Sequence, residues 1–176
     1  MNDAPIRIAG CPPVPWKNGG GTTREVAVYP PGAGMDDFLW RISMAQVEQP
    51  GPFSAFPGID RVLAVLEGTL RLTSPQVEAH IMTGQSPPHA FDGGAMMWGE
   101  PIGGPVLDLN AMARREHCTI AMLPLAAGEV AEITGVTFLT ALAPMRIGSV
   151  SLGRLDSLRL ERPVVVGGPA ILTRLD

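Results

Sequence analysis

The chain has 176 residues, 45% hydrophobic and only 17% charged, with 21 Gly and 18 Pro. That length can bury a substantial core in one compact domain or two small fused halves, and so many breakers favour turns and short strands over long helices, so an all-β class leads. The net charge of −4 and the pI near 5.3 argue against a nucleic-acid partner, which normally calls for a basic footprint.

The N-terminal stretch MNDAPIRIAGCPPVPW lacks the basic and long apolar regions of a leader, and no later run approaches the roughly 20 apolar residues of a membrane span. A soluble, cytoplasmic protein with no membrane partner is expected. Cys11 and Cys118, without Cys-x-x-Cys spacing, read as buried or incidental thiols.

The first informative segment is PWKNGGGTTREVAVYPP, from Pro15 to Pro31. Lys17-Asn18 and three glycines predict a turn, and no Gly-Lys-Ser/Thr follows to make it a phosphate loop. Thr22 to Tyr29 then alternates as a strand, with Thr22, Arg24, Val26 and Val28 on one face. Phe38 to Val47, FLWRISMAQV, can be drawn as an amphipathic helix, but the short spacing between breakers favours a strand on which Arg41 and Ser43 point together.

Phe53 to Gly68, FSAFPGIDRVLAVLEG, carries an aromatic entry, a buried strand and a Glu67-Gly68 turn that predicts a hairpin with Thr69 to Thr73. Arg61 stands at the mouth of that strand, a charge that needs a reason. Gln76 to Thr83 predicts a further strand, Ser86 to Gly94 a turn-rich stretch holding His89 and Asp92, and Gly99 to Pro105 a loop. Val106 to Arg114 alternates again, with Asp108, Asn110, Met112 and Arg114 on one face. Polar groups along one face suggest a wet cavity in a barrel; the plainer alternative is a face turned to solvent.

Strand-like runs continue at Cys118 to Leu123, Val136 to Ala143, Met145 to Leu152, Ser157 to Leu160, Val164 to Val166 and Ala170 to Leu175. VLAVLEGTLRLT and FLTALAPMRIGS echo each other as strand, turn, strand, which fits two halves of similar plan.

Together, PWKNGGGTTREVAVYP, FLWRISMAQVEQPGPFSAFPGIDRVLAVLEG and DLNAMARRE resemble the HutD/Ves family of bacterial proteins. The resemblance implies a bicupin, two jelly-roll-like β-barrel halves packed together: residues 1–115 holding the ligand pocket and residues 116–176 as a smaller, structural half. It also implies a regulatory or ligand-binding role in histidine utilisation, or one in stress response, and favours a binding protein over an enzyme.

Compared with metal-binding cupins, Ala55 and Pro57 stand at the two His positions and Arg61 at the Glu position, and His89 alone matches a ligand. One imidazole cannot hold a transition metal, so no metal and no cofactor is expected. An arginine in place of the Glu reverses the local charge and offers a planar fork suited to a carboxylate. The expected ligand is thus a small anionic metabolite, with urocanate or a formylated glutamate as candidates. Arg24, Arg41 and Arg61 would grip it, Asn18, Asp108 and Asn110 would read its polar end, and Trp16, Phe53, Phe56 and Met112 would cover its body, with His89 nearby. The competing reading makes Arg24, Arg61 and Asp108 a structural ion-pair network.

Two other functions compete: a metal-independent isomerase or hydrolase using His89 as acid/base and Arg61 as the stabiliser of negative charge, and a protein-interaction or stress-response module, with a homodimer as one form.

Overall fold

The computed structural model describes residues 4–75 and 77–176 and is almost wholly β. A single helical turn, Ile8–Gly10, precedes strands β1 (Pro13–Pro15), β2 (Gly21–Tyr29), β3 (Trp40–Val47), β4 (Gly51–Pro52), β5 (Ile59–Ser74), β6 (Val77–Thr83), β7 (His89–Asp92) and β8 (Trp98–Arg114). These eight strands form one antiparallel sheet, ordered β1-β2-β3-β8-β5-β6, with β4 added on β8 and β7 on β5.

The chain continues through β9 (Ile120–Leu125), β10 (Val130–Ala131), β11 (Val136–Ala141), β12 (Met145–Ile147), β13 (Val150–Leu152), β14 (Ser157–Leu160), β15 (Val164–Val165) and β16 (Ala170–Leu175). Four of them make a second sheet ordered β14-β11-β16-β9, and β10-β15 and β12-β13 are two-stranded ribbons. Among the described residues no helix is long and apolar enough to cross a membrane.

Alternation along the long strands explains how the layers meet. Val26, Ile42, Met44, Val62, Ala64, Leu109 and Ala111 leave the first sheet on one face and pack on Met122, Phe138, Ile171 and Leu175 of the second. Each Val, Leu, Ile, Met or Phe among them contributes about 1.5–3 kcal/mol when fully buried. The other face of the second sheet, with Leu139, Leu158 and Leu172, closes on the ribbons through Met145, Ile147 and Leu152. The remaining, inner face of the first sheet carries Val47, Leu63, Val65 and Val106 at its apolar end and the buried polar groups Ser43, Arg61, Asp108 and Asn110 beyond it.

Several expectations change. The Glu67-Gly68 hairpin is instead a bend inside β5: two irregularities flank Glu67, Gly68 takes φ +82°, and pairing with β8 resumes at Thr69 opposite Ile102. A positive-φ glycine serves a bulge as well as a turn, so the motif does not decide between them. A side chain there would also meet backbone, since a Cβ on Gly68 would stand 2.7 Å from the Pro105 carbonyl oxygen.

The expected loop at Gly99 to Pro105 is the first half of β8, held by β5 despite its glycines and prolines. His89 to Asp92, expected in turns, is a strand paired with β5. Met145 to Leu152 is a hairpin reversing at Gly148. The internal echo dissolves with these changes, because its first copy is one bent strand and its second spans strands in different sheets. Gln76, at the start of an expected strand, lies outside the described residues.

Candidate functional site

Registers across β3, β8, β5 and β7 set the inner face out as a grid. Arg41 lies opposite Met112, Met112 opposite Arg61, and Arg61 opposite Phe91. The next row is Ser43, Asn110, Leu63 and His89, and the row after it Ala45, Asp108 and Val65. Arg61, Ser43, Asp108 and Asn110 are all buried. Side chains on directly paired residues share a face, so the grid follows from the pleat once the register is set.

Arg61 is the centre of this grid and is only 7% exposed. Its guanidinium carbon sits 5.1 Å from the Phe91 ring centroid, 5.6 Å from Phe53 and 5.9 Å from Phe56, three ring faces or edges around one cation. Nε donates to Asn110 Oδ1 at 3.4 Å and Nη1 to the Ser54 carbonyl at 3.3 Å, both near the outer limit for a hydrogen bond. Burial pushes its pKa down to about 10; the charge of Asp108 works against that shift and the charge of Arg41 adds to it.

Local backbone places these partners. Phe53 N–H donates to the Met97 carbonyl and Phe56 N–H to the Gly93 carbonyl, so the 53–56 segment is hung over the sheet by two bonds. Gly93 leaves room for the arginine stem, since a Cβ there would come 3.2 Å from Arg61 Cγ and Cδ. Gly99 does the same for Phe53, whose ring edge would lie 2.5 Å from an added Cβ.

Asp108 is fully enclosed. Burial pushes its carboxyl up to about 7, while the Arg61 charge, the Ala45 backbone and the Asn110 side chain pull the other way. Its Oδ1 has no hydrogen-bond partner among the described residues. Arg41 reaches the same face from β3, donating from Nε to Glu25 Oε2 at 2.9 Å and from Nη1 to Ser43 Oγ at 3.4 Å.

The remaining expected residues divide. Trp16 donates from Nε1 to Thr23 Oγ1 at 2.7 Å and meets Phe53 edge-on at 6.4 Å between ring centroids, which puts it at the rim of the aromatic group. Met112 lies in the row between the two arginines and packs with Phe38 and Ile59. Asn18 is committed to its own turn, its Oδ1 accepting from Gly20 N–H at 2.9 Å.

Arg24 does not join the others. It pairs in register with Met44, on the face that packs against the second sheet, and its Nη1 donates to the Cys11 carbonyl. The irregularity between Glu25 and Ala27 then turns the strand over, so that Val28 ends opposite Arg41.

His89 is stacked between His80, 4.3 Å away, and Phe91, 5.9 Å away by ring centroids. Burial and then the neighbouring His80 lower its pKa. Asp92, the acid nearest His89 in sequence and so its candidate orienting partner, accepts from Gly94 N–H at 2.7 Å and pairs with Arg115 at 3.1 Å. Phe91 and the Ser54 carbonyl are site groups the sequence reading missed; the only signal for Phe91 was its place two residues beyond His89.

No cluster of three or more His, Cys, Asp or Glu able to hold a metal occurs among the described residues. The arrangement can offer a planar cation with spare donors, an amide and a buried carboxyl to a small polar ligand, with aromatic rings against its body. Beside it, an apolar cleft of about 450 Å³ runs along Phe53, Met96, Met97 and Trp98, so Phe53 walls both.

Comparison with known proteins places these features in context. The HutD family model matches residues 10–167. The chain is 37% identical over 105 residues to protein Ves of Citrobacter koseri, covering 58% of this chain and 53% of that one. It is 36% identical over 107 residues to an uncharacterized 21.2 kDa protein in the hutC 3′ region of Pseudomonas putida, covering 60% and 55%. The chain thus spans about half the length of the curated relatives it matches. Among solved structures, HutD from Pseudomonas fluorescens SBW25, obtained in a formate condition, superposes with a TM-score of 0.88 at 27% identity, covering 98% of this chain and 97% of that one. The solved neighbours are cupin-like.

Proposed function

The chain belongs to the HutD family, and from that footing we propose that it binds a small carboxylate on the inner face of its first sheet, as a regulatory rather than catalytic protein in histidine utilisation. In this reading the chain is a bicupin, residues 1–115 holding the site and residues 116–176 bracing it. The single observation that carries the proposal is Arg61: a buried guanidinium ringed by Phe53, Phe56 and Phe91, with only two long hydrogen bonds among the described residues.

A buried cation with unspent donors is unfavourable alone and favourable with a planar anion, which charge-assisted bidentate bonding suits best. Arg41 adds positive charge on the same face, and Asn110 supplies an amide. The place of one relative in a hutC region supports a histidine-breakdown acid as the ligand, urocanate or a formylated glutamate among them. In this reading the apolar cleft at Phe53, beside the 53–56 segment, gives the ligand body a place to rest.

An enzymatic reading through His89 finds less support, because its neighbours are rings and its only candidate orienting acid is engaged elsewhere. The test is a thermal-shift and calorimetric series of small carboxylates against the wild type and Arg61→Ala. Stabilisation of the wild type that vanishes in the variant supports the reading. A wild type inert to every acid at millimolar concentration sinks it.

A further inference from the structure

We infer that the ligand carries an N–H donor as well as its carboxylate, and that Asp108 receives it: the fully buried Oδ1 of Asp108, unpartnered among the described residues, is the second attachment point of the site, two rows along the grid from Arg61. This rests on the carboxylate reading above and narrows it to acids bearing an imidazole, amide, amidine or amine N–H.

The geometry carries the step. Asp108, Asn110 and Met112 leave β8 on one face, and Asn110 accepts from Arg61 Nε at 3.4 Å, so the guanidinium reaches along the grid toward Asp108. No ion pair joins Arg61 to Asp108 among the described residues, although each charge acts on the other. The two groups therefore share one buried face, Arg61 holding only long bonds to Asn110 and Ser54 and Asp108 presenting an oxygen with no partner among the described residues. Buried acceptors are almost always satisfied, and an orphan costs about 1–3 kcal/mol, so its persistence points to a partner that arrives from outside. Above pH 7, where the carboxyl is ionised, its complement is a donor, because a carboxylate can only accept.

Burial works in the same direction. Desolvation raises the carboxyl of Asp108 toward neutral pH, and a bound N–H or cationic nitrogen would reverse that effect. A plain acid such as a saturated dicarboxylate would satisfy Arg61 and leave Oδ1 as it is.

The test compares two acids of one shape on the intact wild-type chain at pH 8: an imidazolyl acrylate, which has a ring N–H, and a furanyl acrylate, which has none. The inference expects the imidazole acid to bind about tenfold or more tighter, since sites built for a hydrogen bond discriminate strongly against a ligand that lacks it. Asp108→Leu should bring the two affinities together while the furan acid still binds, and Asp108→Asn, which keeps the shape of the site, should shrink the ratio if the leucine variant does not fold. Equal affinities in the wild type overturn the inference and leave the carboxylate reading standing. A tenfold preference unchanged in both variants also overturns it, by placing the donor's partner elsewhere. Failure of both acids and of all other carboxylates to bind overturns the reading and the inference together.

Discussion

Arg61 and Asp108 stand on neighbouring strands of one buried face, two rows apart, yet Arg61 turns its donors to Asn110 and the Ser54 carbonyl while one oxygen of Asp108 has no partner among the described residues. Burial of each group outweighs the attraction between them, and at Asp108 it leaves a measurable pH signature.

The carboxyl of Asp108 is raised from 3.8 to about 7, so the folded chain holds a proton there that the unfolded chain has lost. Stability should therefore fall as pH rises from about 4 to 7 and level off above 7, the deficit being on the order of 4 kcal/mol. Asp156 runs the other way. Burial alone would raise its pKa, but Arg7 and the N–H groups of Gly153 and Ile8 outweigh that and hold it low, so it costs stability only as pH drops below the ordinary carboxylate range. Urea midpoints measured across this range for wild type and Asp108→Asn should differ in slope, with the asparagine variant flatter between pH 4 and 7. Parallel slopes would contradict a raised carboxyl.

Arg61→Lys keeps the charge and removes the fork. Ligand affinity should fall by about 10- to 100-fold, because an ammonium cannot give two parallel bonds or lie flat against Phe91. Calorimetry with the best-binding acid checks it, and undiminished affinity would assign Arg61 a purely structural place.

Arg24→Ala should leave every ligand response as it was. Its cost, about 1 kcal/mol, comes from the lost bond to the Cys11 carbonyl, a contact on the far side of the sheet. A variant with normal thermal stability but lost binding would mean that the two faces are not separate.

Gly68→Ala should destabilise the chain by roughly 2 to 4 kcal/mol, since the position combines a φ of +82° with a Cβ path 2.7 Å from backbone oxygen. Denaturant unfolding measures it directly. A neutral result would mean the bend in β5 can relax.

Much of this arrangement was legible in the order of residues. The alternation of Asp108, Asn110 and Met112 with Leu107, Leu109 and Ala111 declares a strand between a polar face and an apolar one, and β8 obeys it. Arg61 was conspicuous as a charge beside a run of apolar residues. Less legible was anything that depends on a bulge. One irregularity near Val26 moves Arg24 away from the site, and a glycine that reads equally as turn or bend hides the length of β5. Pairing with a distant strand turns the Gly- and Pro-rich start of β8 into sheet, and no local window contains that partner. The orphaned oxygen of Asp108 could not be foreseen, because it depends on where its neighbours spend their own bonds.

The two long central strands impose one last constraint. Along β8, successive residues from Val106 to Met112 belong by turns to the ligand face and to the layer between the sheets. Deleting one residue there would exchange the two sets, sending Asp108 and Asn110 into the apolar layer and Leu109 and Ala111 toward the ligand. Natural and designed variants of this segment should therefore change length in pairs of residues or not at all.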